Sequence, residues 1–287
     1  MPRRLITNAL RLMLLFALYF SVAENAVPQA IKERHDVVTV GRASLKVTIR
    51  GEGDPVVFIP SLGRGVQDFD VLSKQLAQAG YRSILPEPRG IGGSTGPLDG
   101  ITLHDLAGDV AGVIRATGGR PAIVVGHAFG NRIARMLATD HPTLVKQVIL
   151  LAAGGTVAMS PDVEQTSHRV YTATLPKSDR IEAIQRVFFA SGSNGSVWTE
   201  GWYLDVAAAQ VAANSATQGN EWLAGGSAPI LVLQGAEDIM AVPENSKRLA
   251  ADYPKRVTVV EIPKAGHAML PEQPDLILAA ILAYLKR

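Results

Sequence analysis

The segment Gly126–Gly130 combines residue types and a spacing that bear on acyl-transfer chemistry. It reads Gly-His-Ala-Phe-Gly and lies between an apolar run, Ala122–Val125, and a helical pattern that continues to Asp140. Between a strand and a helix, the pattern G-x-S-x-G presents a nucleophilic serine on a strained turn, and its glycines let the helix pack closely. Here the central residue is Ala128, whose methyl group can neither attack a carbonyl nor hydrogen-bond to a base. The sequence therefore predicts a nucleophile turn that lacks its nucleophile.

The elements around this turn alternate between strand and helix. Short continuous apolar runs are typical of strands buried on both faces of a parallel sheet, and helical spacing between them predicts right-handed βαβ units. The predicted buried strands are Val56–Ile59, Tyr81–Leu85, Ala122–Val125, Val145–Leu151, Ile230–Leu233 and Val257–Ile262. The helical patterns cover about 66–79, 103–116, 129–140, 243–253 and 272–286. Alternation in Asp36–Val40 and Ser44–Arg50 predicts an antiparallel pair. We expect an α/β fold with a mostly parallel, doubly wound sheet.

Residues 158–225 interrupt this alternation. They show no buried-strand pattern, and they contain helical segments, the Gly/Ser-rich run Ser191–Ser196 and the tryptophans Trp198, Trp202 and Trp222. An insertion after one strand of such a sheet predicts a helical lid over the carboxyl ends of the strands, where open α/β sheets bind ligands. The remaining core is expected to comprise residues 24–157 and 226–287.

In this context the sequence resembles the α/β-hydrolase superfamily, in particular its lid-bearing esterase, lactonase and C–C hydrolase branches, over nearly all of residues 24–287. The resemblance rests on the turn at Gly126–Gly130 and on Pro86–Ser94, which is similar to the family's D-x-R-G-x-G-x-S turn with Glu87 near the usual aspartate. It implies an α/β-hydrolase fold with an inserted helical lid.

The resemblance also implies the other site residues. The family's order along the chain is nucleophile, acid, histidine. The acid, expected after a late strand, is Asp238, with Glu237 as a second candidate, and the histidine, expected after the last strand, is His267. The oxyanion-hole amides are expected from Leu62 and Phe129. The first of these lies in a loop that reads Pro-Ser-Leu-Gly-Arg-Gly, where the family usually shows His-Gly.

Two more polar residues lie beside these positions. Ser61, in the oxyanion loop, is a candidate pocket residue and is either a displaced nucleophile or a turn serine that bonds its own backbone. The second interpretation is favoured, because the amides of such a loop, and not its side chains, are aimed at the oxyanion. His127, beside Ala128, is interpreted as a packing residue.

Without a serine hydroxyl, what remains is a His267–Asp238 dyad, an oxyanion pocket and a lid. A hydrolytic triad without its nucleophile keeps on the order of 10³-fold catalysis over water, and a well-placed histidine base contributes about 10²–10⁴-fold. One hypothesis is therefore a hydrolase of a small ester- or lactone-like compound in which His267 activates water, or a variant with non-hydrolytic proton chemistry. Another is a binding or sensing protein that keeps only the pocket. A third is that alanine replaces the serine of a working hydrolase.

Composition limits the classes of partner. The chain has no cysteine, which excludes a thiol nucleophile and a thiolate metal site. It also lacks an HExxH motif, a histidine cluster and a Gly-rich phosphate loop, so we expect no metal and no cofactor. The expected partner is a small-molecule substrate or ligand. The oligomeric state stays open.

The first 23 residues predict a secretory signal peptide. Arg3, Arg4 and Arg11 precede the apolar run Leu12–Phe20, which is short for a membrane span. Small residues follow it at positions 21 and 23, Ser21 and Ala23. We expect an exported protein, periplasmic or secreted, with no membrane contact after cleavage. An uncleaved N-terminal anchor is the alternative. Loss of three of the 28 basic residues, against 26 acidic ones, leaves a net charge of −1, which gives no reason to expect nucleic acid as a partner.

Overall fold

The structure is a computed structural model that describes residues 31–286, and the predicted signal peptide lies outside the described residues. The strands are β1 (Glu33–Val40), β2 (Ala43–Arg50), β3 (Asp54–Ile59), β4 (Tyr81–Pro86), β5 (Ala122–His127), β6 (Val145–Leu151), β7 (Ile230–Gly235) and β8 (Val257–Ile262). The helices are α1 (Asp70–Gln78), α2 (Leu103–Ala116), α3 (Gly130–Asp140), α4 (Pro161–Val170), α5 (Lys177–Phe188), α6 (Leu204–Ser215), α7 (Gly219–Trp222), α8 (Glu244–Asp252), α9 (Met269–Glu272) and α10 (Pro274–Leu285). Short 3₁₀ turns occupy Val66–Phe69, Pro142–Leu144 and Gly195–Trp198. Among these helices, none is long and apolar enough to cross a membrane.

The strands form a single eight-stranded sheet in the order β1-β2-β4-β3-β5-β6-β7-β8. The pairings β1–β2 and β2–β4 are antiparallel, and the other five pairings in the described chain are parallel. The predicted fold class, a mostly parallel doubly wound sheet, is confirmed.

Consecutive residues of the central strands face opposite sides of this sheet. In β3, Val57 and Ile59 belong to one apolar cluster, whereas Val56 and Phe58 belong to another. The first cluster includes residues of α2 and α3, and the second includes residues of α1 and α10. Because both faces are covered, the buried stretches of the central strands are continuous apolar runs, which is the pattern that identified them in the sequence.

The predicted closing helix over 272–286 differs from the observed one. The chain instead forms the short helix α9, a break at Gln273, and then α10, which begins at Pro274. Proline has no backbone N–H and fits only the first turn of a helix, so Pro274 starts a new helix.

Residues between β6 and β7 form α4 to α7, and part of this region has an apolar cluster of its own. An apolar cluster there includes Val170, Ile184, Phe188 and Trp198. Trp222, by contrast, belongs to the cluster beneath α2 and α3. Whether this region acts as a lid stays a prediction.

The turn from β5 into α3 requires two residues without side chains. A Cβ atom on Gly130 would lie 2.2 Å from the carbonyl oxygen of Ile59 and 2.6 Å from that of Pro60. A Cβ atom on Gly126 would lie 2.5 Å from the oxygen of Gly130. These distances are far below van der Waals contact. Glycine at position 130 therefore lets α3 pack against the end of β3, and glycine at position 126 lets the first turn of α3 pack against β5.

We expect Gly130→Ala to lower the free energy of unfolding by about 2–4 kcal/mol, since the new methyl group would collide with rigid backbone. Gly108→Ala is the matched control, because Gly108 lies within α2 and its added Cβ would meet nothing within 4 Å. That change should stabilise the protein by about 0.5–1 kcal/mol through helix propensity. Urea unfolding of both variants measures the difference. Equal effects would contradict the close approach of α3.

Candidate active site

Ala128 has the backbone conformation expected of a nucleophile turn. Its φ angle is +49°, in the left-handed region that costs a residue with a Cβ about 1–2 kcal/mol. The Ala128 N–H donates to the carbonyl of Leu151 at 2.9 Å, and the Asn131 N–H donates to the carbonyl of Ala128 at 3.1 Å. The Asn131 side-chain amide donates to the same carbonyl. The turn is therefore fixed by hydrogen bonds to β6 and α3, although its central side chain has no functional group.

The structure brings Asp238 and His267 together. Asp238 follows β7 and His267 follows β8, and these neighbouring parallel strands end at the same edge of the sheet. His267 Nδ1 lies 3.0 Å from Asp238 Oδ2 and 3.2 Å from Oδ1. The buried carboxylate also accepts the N–H groups of Met240 at 2.9 Å and Ala241 at 2.8 Å.

An acceptor-only carboxylate at Nδ1 fixes the tautomer of His267. Nδ1 carries the proton that is donated to Asp238, and Nε2 is left with a free lone pair. Glu237, the second candidate for the acid, is directed elsewhere: it accepts the N–H of Ser191 at 3.0 Å. Asp238 is therefore the carboxylate that orients the histidine.

His127 supports this arrangement from beneath. Its side chain is completely buried, and its Nε2 donates to the backbone carbonyl of His267 at 2.8 Å. Burial, together with the neighbouring His267, lowers the pKa of His127 to about 4. A neutral ring is thus maintained at physiological pH, in keeping with the packing role interpreted from the sequence.

A cavity of about 420 Å³ joins the predicted site residues. Its wall includes Ala128, His267, Ser61, Leu62 and Phe129. Its other lining residues are Arg132, Ala152, Gly154, Met159, Glu164, Ser167, His168, Tyr171, Phe188, Val211, Asn214, Met240 and Ala241. The cavity therefore lies between the carboxyl ends of the strands and residues of α4, α5 and α6.

Two backbone amides at this cavity are free to bind an anion. Within residues 31–286, the N–H groups of Leu62 and Phe129 have no hydrogen-bond acceptor. The next amide, that of Gly63, donates to Gln210 Oε1 of α6 at 2.8 Å, which ties the loop in place. Two preorganised donors beside a reacting centre are what an oxyanion hole requires.

Ser61 lies on the cavity wall, as expected of a pocket residue. Its carbonyl accepts the N–H of Arg64 at 3.1 Å, which closes a tight turn. Its hydroxyl has no hydrogen bond to any histidine or carboxylate in the described chain. A serine without a base partner is not activated for attack, so the geometry speaks against a displaced nucleophile. The turn is closed by the Ser61 carbonyl and not by a bond from its hydroxyl to the backbone.

Several cavity residues were not identified from the sequence. Tyr171 and Phe188 come from the region between β6 and β7, and Arg132 comes from the first turn of α3. Burial raises the pKa of Tyr171, so its phenol remains a hydrogen-bond donor. For Arg132 the sequence did contain a signal. It follows Ala128 by four residues, about one helical turn, and this spacing could have placed it on the same side of α3 as the cavity. Among residues 31–286, no group of three or more potential metal ligands is found.

Comparison with known proteins places this geometry in a family. The family model described as "alpha/beta hydrolase fold" matches residues 54–170. The chain is 26% identical to the non-heme chloroperoxidase of Streptomyces lividans over 255 residues, which covers 82% of this chain and 92% of that protein. It is 32% identical to 2-(acetamidomethylene)succinate hydrolase of Mesorhizobium japonicum over 114 residues, 40% of this chain and 41% of that enzyme.

A solved structure agrees with these relatives at the level of fold. The esterase from Exiguobacterium antarcticum superposes with a TM-score of 0.76 at 17% identity and covers 88% of this chain and 100% of its own. The matched sequence region, the strand order and the glycine-flanked turn point to the same group of proteins, whose relatives include hydrolases. The chain belongs to the α/β-hydrolase superfamily.

Proposed function

We propose that the protein hydrolyses a small ester- or lactone-like carbonyl compound by activating water with His267, without a serine nucleophile. The observation that carries this proposal is the His267–Asp238 contact beside two unpaired amides on one cavity. A buried carboxylate that orients an imidazole at a cavity is an arrangement that is typical of functional sites. The relatives that are named as hydrolases support the reaction class.

The reaction follows from the positions of these groups. A water molecule in the space of the absent hydroxyl, next to the Ala128 methyl group, would donate a hydrogen bond to His267 Nε2. Nε2 takes the proton as the water oxygen attacks the carbonyl carbon, and the Leu62 and Phe129 amides donate to the resulting oxyanion. Collapse breaks the bond to the leaving group, which receives the proton from the imidazolium. The products are an acid and an alcohol, and no covalent enzyme intermediate forms.

Asp238 contributes by stabilising the imidazolium and by holding its tautomer. We further propose that residues 158–225 act as a lid, because Met159, Tyr171 and Phe188 of this region line the cavity. Apolar walls on that side would exclude bulk water and strengthen the hydrogen bonds to the oxyanion.

A binding protein that keeps the pocket without turnover is the second candidate. The observation that favours it is Ala128, since the residue that attacks the carbonyl in related triads is absent. The same pocket serves both candidates, and turnover by the unmodified protein separates them.

We expect the unmodified protein to hydrolyse 4-nitrophenyl acetate or a γ-lactone slowly, and His267→Ala to lower kcat/KM by about 10²–10⁴-fold, because the general base is lost. His168→Ala is the matched control: His168 lines the same cavity, but no carboxylate orients it within the described chain. That variant should stay within about threefold of the parent. Turnover that survives His267→Ala, or no turnover at all, would contradict the proposed mechanism.

We also expect Ala128→Ser to gain a nucleophile that reacts with a fluorophosphonate probe, since the new hydroxyl would lie beside His267. Intact mass spectrometry should show one adduct in this variant and none in the unmodified protein. Ala152→Ser is the control, because Ala152 lines the same cavity and also has a positive φ of 52°. It should remain unlabelled. A silent unmodified protein combined with a reactive Ala128→Ser variant would favour the binding role.

A further inference from the structure

Arg132 places a positive charge on the wall of the cavity. It lies in the first turn of α3 and is half-buried. Its guanidinium carbon lies 5.3 Å from the centre of the Trp222 ring, a cation–π distance that holds the side chain in position without using its N–H donors. In the described chain, the side chain has no hydrogen-bond acceptor and no carboxylate within ion-pair distance.

The surroundings of Arg132 add to this positive charge. Arg135 is fully buried one turn further along α3, with its guanidinium carbon 4.7 Å from the same tryptophan ring. Its donors go to neutral acceptors, Asn131 Oδ1 at 2.5 Å and the Gly154 carbonyl at 2.6 Å. The first turn of a helix also carries a partial positive charge. Arg132 on the cavity wall, with Arg135 behind it and the N-terminus of α3 beside it, therefore forms a positive region that has no ion pair to a carboxylate in the described chain.

A second, independent feature of the same cavity also points to a ligand. Asn214 of α6 lines the cavity, and its buried Oδ1 has no hydrogen-bond partner in the described chain. A buried amide oxygen left without a donor is costly. The Oε1 of Gln210, one turn earlier on α6, by contrast accepts the N–H of Gly63.

We infer that the cavity recognises a small carboxylate-bearing compound, with the carboxylate on Arg132 and a hydroxyl or N–H donor of the compound on Asn214. The inference deepens the proposed function, on which it rests for the identity of the reacting carbonyl. A planar guanidinium binds carboxylates through paired charge-assisted hydrogen bonds. Because Arg132 follows Ala128 by about one helical turn, the carboxylate would lie a few atoms from the carbonyl at the oxyanion amides.

The other charged group at this cavity is Glu164 of α4. Its side chain is exposed and forms no ion pair with Arg132 in the described chain. It can be hydrated by solvent, whereas the cation opposite lies against Trp222 in a more enclosed position. Neither Glu164 nor Trp222 therefore uses the N–H donors of Arg132, and these donors stay available to the ligand.

The test measures binding, so that it does not depend on turnover. The probes are 4-oxo-4-phenylbutanoate and its amide, which have nearly equal size, differ in charge and contain no ester. Isothermal titration calorimetry on the full protein should give a Kd about 10–100-fold lower for the acid than for the amide, the range expected of charge-assisted hydrogen bonds. In Arg132→Met this preference should fall to less than about threefold, and Arg132→Lys should retain part of it.

Arg169→Met is the matched control, since Arg169 lies on α4 but does not line the cavity, and the variant loses the same net charge. Its preference for the acid should equal that of the parent. Thermal unfolding of each variant checks that it is folded. Equal Kd values for acid and amide in the parent, a preference that persists in Arg132→Met, or no binding of either probe at millimolar concentration would overturn the inference. Failure of ester turnover with this binding preference intact would overturn only the proposed hydrolysis.

Discussion

The close approach of α3 to the loop after β3 is the contact on which the rest of the site depends. It exists because Gly126 and Gly130 leave room for backbone oxygens at distances that no Cβ could share. The same approach places Phe129 at the helix N-terminus beside Leu62, so that two unpaired amides line one cavity. In the same turn, residue 128 lies in the left-handed region. The proposed stabilisation of a carbonyl oxygen depends on this backbone geometry.

That geometry does not depend on the side chain at position 128. Alanine keeps the strained φ angle and the hydrogen bonds of the turn, and it removes only the hydroxyl. On the other side of the cavity, Asp238 holds His267 with Nε2 unoccupied, and His127 fixes the histidine loop through its carbonyl. The described cavity therefore combines an oriented imidazole, two unpaired backbone amides and a cationic side chain. In the proposed function, a small carboxylate-bearing substrate and a water nucleophile use all three.

The sequence predicted the sheet and the edge of the fold that carries the site, because strands buried on both faces appear as continuous apolar runs. Chain order in the family gave Asp238 and His267, and the structure brings these two together. The predicted start of the closing helix, at residue 272, was wrong, because Pro274 begins a separate helix. The cavity wall from α4 to α6 could not be predicted, because its side-chain directions depend on contacts between residues far apart in the chain. The bond from Gly63 to Gln210 is one example, since its partners are 147 residues apart.

The most direct test of this account is the tautomer of His267, measured by ¹⁵N nuclear magnetic resonance on labelled protein at a pH where the ring is neutral. The account predicts a protonated Nδ1 that donates to Asp238 and an unprotonated Nε2 at the cavity, and it predicts that Asp238→Asn changes this pattern. A protonated Nε2 in the unmodified protein would contradict it, because a nitrogen that already carries a proton cannot take one from water.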